Sequence, residues 1–222
     1  MATQPPVSTS IEANDGAAAD KATALHDQLH ALIDATQRAQ RALKAGDHAM
    51  DFCLTDHNEK KVSLAKSLIK GPVFLLISRG PWCPSVREQL LGLADIYPQM
   101  VELSVSLIAI APSWEVPEDV DADISQRLAN LPFATLTDEA SKIAGAYGLT
   151  FLPNAELRAQ YQALGYCYKQ VGESDPLLVP ATYLVSRSGE IIFAFIDSDP
   201  GNFLKPQALL RMLGNMSRRQ DV

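Results

Sequence analysis

One short stretch holds the residue types that redox chemistry needs: Arg79-Gly80-Pro81-Trp82-Cys83-Pro84. An apolar run from Pro72 to Ser78 leads into it, and Val86, Leu90, Leu93 and Tyr97 follow at helical spacing. A buried strand therefore turns into an amphipathic helix at this point. Pro84 suits the first helical position, because its missing N–H is one the helix does not use. Cys83 is then the expected N-cap. A thiolate there faces unbonded backbone N–H groups of the first turn and the positive end of the helix dipole, which favours the ionised, nucleophilic form. Arg79 adds a fixed positive charge that can stabilise it. The competing reading is an inert buried cysteine serving as a small core hydrophobe; the strand-turn-helix context favours the reactive one.

The other candidates are weaker. Cys53 directly follows Phe52 in a short strand, so it takes the opposite face and reads as a packing cysteine. Cys167 lies in a loop, Gly165-Tyr166-Cys167-Tyr168, and is the more plausible partner to resolve an oxidised Cys83, although loop cysteines are more often bystanders. His26 and His30 are one helical turn apart, but no third ligand accompanies them. Three cysteines without metal-like spacing indicate neither a disulfide framework nor a zinc site. No metal and no cofactor is expected.

Composition sets the frame. The chain has 222 residues, 47% of them hydrophobic, and a formal charge of −7, enough for one well-buried core. The basic runs are no longer than the pairs Lys60-Lys61 and Arg218-Arg219, so nucleic acid and anionic membrane surfaces are poor partners. No stretch reaches the roughly 18 continuous apolar residues of a membrane span. The opening residues lack the basic and apolar regions of a secretory signal. A cytoplasmic protein is the expectation.

The elements that must position Cys83 follow in order. Residues 1–17 are rich in Pro, Ser, Thr and Ala without period and are expected to be a disordered tail. Leu25, Leu29, Leu32, Ile33, Thr36, Ala39 and Leu43 trace an amphipathic helix over 18–45, stopped by Gly46. It can cover the sheet or pair with a second subunit, and a homodimer is expected. Asp51 to Leu54 reads as a strand and Val62 to Ile69 as a short helix. Strands over 105–111 and 133–136 alternate with helices over 124–131 and 138–147, which calls for a parallel sheet with helices on both faces. An extra helix is expected from Asn154 to Leu164. Two strands, 181–186 and 190–196, join through Arg187-Ser188-Gly189, and a last helix spans 205–214. The domain so defined is 46–216, with a tail at 217–222.

At this point three ordered blocks carry a family resemblance. RGPWCPSV (79–86) resembles the Arg-Gly-x-Trp-Cys-Pro-x-Cys signature of the peroxiredoxin-like branch of the AhpC/TSA family. GDHAMDFCL (46–54) is similar to that family's opening, with Met50 in place of a proline, and VPATYLVSRSGEIIFAFIDSD (179–199) to its closing hairpin. The resemblance covers nearly everything from Gly46 to Gly214. It implies an α/β, thioredoxin-like, peroxiredoxin-type three-layer fold: a central mixed β-sheet flanked by helices, here with an extra N-terminal helix. It also places Pro180 where thioredoxin-like folds carry a cis-proline facing the active cysteine, an ordinary trans proline at a strand start being the alternative, so that Trp82 and Pro180 would shape the pocket around Cys83 and Pro84.

One departure matters. Val86 stands where the signature has its second cysteine, a position that also corresponds to the peroxidatic cysteine of ordinary peroxiredoxins, while Cys83 falls where they have Thr or Ser. Three functions follow. The first, implied by the resemblance, is an antioxidant thiol peroxidase. Cys83 would attack a hydroperoxide, become a sulfenic acid, and be regenerated by an external thiol such as thioredoxin or glutathione. The second is a monothiol thiol-disulfide or glutathione-linked oxidoreductase, whose mixed disulfide persists until another thiol arrives. The third is a non-catalytic redox sensor or binding protein on the same fold.

Overall fold

The computed structural model describes residues 41–56, 59–152, 154, 155, 159, 176–197 and 202–220, the side chains of 217–220 excepted. Its strands are β1 (Cys53–Thr55), β2 (Lys61–Ser63), β3 (Val73–Ile77), β4 (Ser106–Ala111), β5 (Ala134–Thr137), β6 (Thr150–Phe151), β7 (Leu177–Leu178), β8 (Ala181–Val185) and β9 (Ile191–Ile196). Its helices are α1 (Leu64–Leu68), α2 (Pro84–Glu102), α3 (Ala122–Ala129), α4 (Lys142–Ala146) and α5 (Pro206–Gln220).

The central sheet has the order β5-β4-β3-β8-β9. β3 pairs in parallel with β4 and β4 with β5, while β8 runs antiparallel to both β3 and β9. The sheet is thus mixed. β3 lies at its centre with all five residues buried, and the two-residue alternation of a strand sends its side chains to two separate cores. Val73, Leu75 and Ile77 join Phe52, Leu64, Ala144, Tyr147 and Tyr183 on one face. Phe74 and Leu76 join Val86, Leu90, Leu93, Leu128 and Leu209 on the other. Helices cover both faces, giving the three-layer thioredoxin-like arrangement. No helix among the described residues is long and apolar enough to cross a membrane.

Several expectations need correction. Lys61 to Ser63 is not helical but pairs with β1 as a hairpin. The helix begins only at Leu64, where the Ser63 hydroxyl caps it by accepting from Lys66 N–H. Capping serine hydroxyls satisfy first-turn donors, which sets that boundary. Residues 138–147 form a 3₁₀ turn (Glu139–Ser141) before α4, and the buried Asp138 carboxylate accepts from the N–H groups of Ile143 and Ala144, both at 2.9 Å. The last helix does not stop at Gly214 but runs to Gln220, through most of the expected tail. The predicted helix over 18–45 lies outside the described residues except for its last five, and those are not helical. There Leu43 N–H bonds to Tyr147 O and Ala42 is buried in the core, so packed chain starts before Gly46. The tail at 1–17 and most of the predicted helix from Asn154 to Leu164 lie outside the described residues.

Candidate functional site: a single thiol at the start of α2

Cys83 sits where β3 hands over to α2. It is the N-cap of that 19-residue helix, in extended conformation, with Pro84 as the first helical residue. Of Val86, Leu90, Leu93 and Tyr97, the residues whose spacing predicted the helix, the first three are buried on the face that packs against the sheet and Tyr97 is half-buried beside them. Between strand and helix the chain makes a tight turn in which Cys83 N–H donates to Gly80 O at 3.2 Å. Gly80 has φ +104°, and a Cβ there would stand 2.3 Å from the carbonyl oxygen of Ser113 in the loop after β4. Only glycine combines that backbone conformation with that approach.

The surroundings of the sulfur differ from expectation in three ways. Its side chain makes no capping hydrogen bond to the helix N–H groups. Its partner is instead the hydroxyl of Ser85, with Sγ and Oγ 3.2 Å apart. The residue is also 1% exposed, among the apolar side chains of the α2 core, so the thiol is shut off from bulk solvent.

Arg79 is buried, but its Nε donates to Leu178 O at 3.1 Å. Through that bond Arg79 fastens the end of β3 to β7. Trp82 is half-buried and its Nε1 donates to Arg79 O at 2.7 Å, closing the turn upon itself. Pro84 is exposed. Pro180 immediately precedes β8, and since Ala181 pairs with Ile77, it lies beside the strand end that carries Arg79. There is no cis peptide bond among the described residues, so Val179–Pro180 is trans, unlike the cis-proline that the fold resemblance implies.

Cys53 is exposed and, among the described residues, not a packing residue, although it does take the face opposite buried Phe52. Cys167, His26 and His30 lie outside the described residues. Among those described, no group of three or more His, Cys, Asp or Glu side chains could hold a metal ion.

Two residues missed by the sequence reading complete the site. One is Ser85. The other is Arg87, whose Nη1 donates to Pro81 O at 2.9 Å and Trp82 O at 3.1 Å. A signal for Arg87 was present, since a cation in the first turn of a helix opposes the dipole and calls for another partner. Here that partner is the pair of carbonyls in the preceding turn. Beside Pro81 opens a cleft of about 280 Å³, walled by Trp114, Val116, Leu128 and Leu131 with the hydroxyl-bearing Thr135 and Thr137 of β5.

A thiol at a helix start, at the carboxyl end of the central strand of a mixed sheet, defines a redoxin-type site on a thioredoxin-like fold. The chain belongs to the AhpC/TSA family, whose model matches residues 45–194. The thiol-disulfide oxidoreductase ResA of Bacillus anthracis is 30% identical to it over 115 residues, 52% of this chain and 64% of that protein, and ResA of Bacillus thuringiensis (strain Al Hakam) gives the same figures. The chain thus matches less than two thirds of the length of these curated relatives. Among solved structures, a yeast mitochondrial 1-Cys peroxiredoxin superposes with a TM-score of 0.61 at 15% identity, covering 81% of this chain and 78% of that one. The peroxidoxin BcpB of Mycobacterium tuberculosis gives 0.56 at 15% identity, covering 80% and 97%. These likenesses show the fold.

Proposed function

We propose that this protein is a one-cysteine, thiol-dependent peroxidase in which Cys83 reduces hydroperoxides and an external thiol, thioredoxin or glutathione, regenerates it. The observation that carries this reading is the burial of the Cys83 sulfur beside a hydroxyl. A protein disulfide must bring its own sulfur onto the thiolate, which a 1% exposed side chain does not permit without opening of the turn. A hydroperoxide needs far less room than a protein disulfide, and a cleft opens beside Pro81, two residues before Cys83. The first step forms an S–O bond to the distal peroxide oxygen and breaks the O–O bond, leaving Cys83 as a sulfenic acid and releasing an alcohol or water. In this later step the turn must open: one external thiol then forms a mixed disulfide with loss of water, and a second thiol displaces it, returning Cys83 to the reduced state.

The test is peroxide consumption by wild type and Cys83→Ser, each supplied with thioredoxin and its reductase and, separately, with glutathione. Consumption by the wild type that disappears in the variant supports the reading. Its absence with both donors ends it.

A second reading, monothiol thiol-disulfide exchange, has its own support. Cys83 takes the position of the first cysteine in a Cys-x-x-Cys arrangement, and the ResA relatives are thiol-disulfide oxidoreductases by name. Turnover of a model disulfide without peroxide consumption would select it.

A further inference from the structure

Among the described residues, Ser85 Oγ is the one hydrogen-bond partner of the Cys83 sulfur, at 3.2 Å. We propose that Ser85 is a second catalytic residue, whose hydroxyl passes the proton that leaves the Cys83 sulfur to the leaving oxygen of the substrate. The inference rests on Cys83 being the attacking thiol.

The need for such a group follows from the site. An attacking thiol must lose its proton and a departing alkoxide must gain one, yet the sulfur is 1% exposed and bulk water is not at hand to do either. The helix N–H groups do not reach the sulfur, because the N-cap side chain makes no hydrogen bond to them. Of the cations in this turn, Arg79 donates through Nε to Leu178 O and Arg87 through Nη1 to the Pro81 and Trp82 carbonyls. Guanidinium groups moreover hold their protons too firmly to pass one on. A hydroxyl is suited to the task, since it can accept a proton through a lone pair while donating its own.

The balance is complete. The Cys83 S–H bond breaks and its proton goes to Ser85 Oγ. The sulfur bonds to the distal oxygen of the hydroperoxide, the O–O bond breaks, and the departing oxygen takes the original Ser85 proton. Cys83 becomes a sulfenic acid, the substrate leaves as an alcohol or water, and Ser85 ends as it began. Ser85 stands in the first turn of α2, so the helix backbone itself sets its distance from the N-cap.

The test uses the full chain with Cys53→Ser and Cys167→Ser, which leaves Cys83 as the sole thiol, and compares it with the same chain carrying Ser85→Ala or Ser85→Thr. Single-turnover oxidation by hydrogen peroxide and by cumene hydroperoxide is followed by trapping the sulfenic acid, and thermal unfolding checks that all three proteins are folded. Ser85→Ala should slow oxidation on the order of a hundredfold, the range of a positioned proton-transfer group. Ser85→Thr, which keeps the hydroxyl, should restore most of the rate. A solvent deuterium isotope effect should be present with Ser or Thr at position 85 and vanish with Ala. Oxidation of the Ala variant at the parent rate, or equal slowing of the Ala and Thr variants, overturns the assignment. If the parent is oxidised by neither peroxide, the peroxidase reading has failed by itself. The same three proteins are then compared for reaction with a chromogenic aromatic disulfide, where slowing by Ala with rescue by Thr keeps Ser85 as the acceptor of the thiol proton, and equal rates reject it.

Discussion

The guanidinium of Arg87 donates to the carbonyl of Pro81 at 2.9 Å, so a residue inside α2 holds the turn that comes before that helix. The same Nη1 reaches Trp82 O, and the Trp82 indole in turn donates to Arg79 O. These contacts tie together the turn that leads into Cys83. Arg87→Met, which keeps much of the side-chain bulk, removes the clamp and should cost about 1–2 kcal/mol, as expected for lost hydrogen bonds from a charged donor at a half-buried site. More tellingly, Cys83 should become reactive toward a bulky maleimide in the folded protein, measured by mass mapping at short times with circular dichroism unchanged. Labelling of Cys83 no faster than in wild type would show that Arg87 does not control access.

Gly80→Ala attacks the same turn from the strand side. The substitution puts a non-glycine residue at φ +104° and drives its Cβ to 2.3 Å from Ser113 O, a backbone atom that cannot swing away. A strained backbone of this kind costs on the order of 1–3 kcal/mol before the clash is counted. The expected result is a lower denaturant midpoint together with a large loss of turnover, because the displaced segment carries Cys83. A variant with wild-type midpoint and activity would mean that the loop after β4 yields easily.

How much of this was legible in the sequence depended on whether the determinant was local. β3 and α2 could be read because the apolar run and the helical spacing of Val86, Leu90 and Leu93 are each local, and Pro84 marks the junction between them. β2 could not, because Lys61-Val62-Ser63 becomes a strand only by pairing with β1. The last helix, predicted over 205–214, continues as α5 through Gly214, since a glycine inside a helix costs only about 1 kcal/mol relative to alanine. Within the site, Cys83 as N-cap followed from the sequence, whereas the Ser85 contact and the Arg87 clamp depend on how far the turn folds back onto the helix. The charge of Arg79 suggested a role at the thiol; its bond to the Leu178 carbonyl could not be read, because it depends on the placement of β8 beside β3.

On the far side of the sheet, Tyr147 and Tyr183 pack with ring centroids 5.4 Å apart. Burial raises both phenols well above their ordinary value of 10.0, with Asp51 adding to the effect at Tyr147, and Tyr147 and Asp47 adding to it at Tyr183. An acid with a raised folded-state value loses its proton later in the folded than in the unfolded chain. The stability it contributes is therefore fully present below about pH 10 and is lost as pH climbs from there toward the folded-state value. Chemical denaturation at a series of alkaline pH values should show this fall, and Tyr183→Phe should make it shallower. At neutral pH, Tyr183→Phe should change stability by less than about 1 kcal/mol, because the buried hydroxyl it removes has no hydrogen-bond partner among the described residues. Tyr147→Phe should cost about 1 kcal/mol, because that hydroxyl donates to Met50 O at 2.9 Å. Equal effects of the two changes at neutral pH would contradict the assignment of their hydroxyls.

Val86→Cys tests the geometry of the helix start directly. Cys83 is the N-cap and Val86 the third helical residue, and both are buried against the same core, at 1% and 2% exposure. Residues three apart in the first turn share a face. A cysteine is smaller than valine, so it enters without overpacking, and the loss of apolar bulk should cost only about 0.5–1.5 kcal/mol. Oxidation of the variant should then give an internal disulfide between positions 83 and 86, seen as two missing free thiols and one cross-linked peptide on mapping. Functionally, release of Cys83 from its oxidised or mixed-disulfide state would no longer wait for an external monothiol, because the new neighbour attacks first. The dependence of turnover on glutathione concentration should weaken, while a dithiol donor should work better than in wild type. If both thiols stay free under an oxidant that modifies Cys83 in the wild type, the two side chains do not converge, and the placement of Cys83 as the leading residue of a Cys-x-x-Cys geometry is wrong.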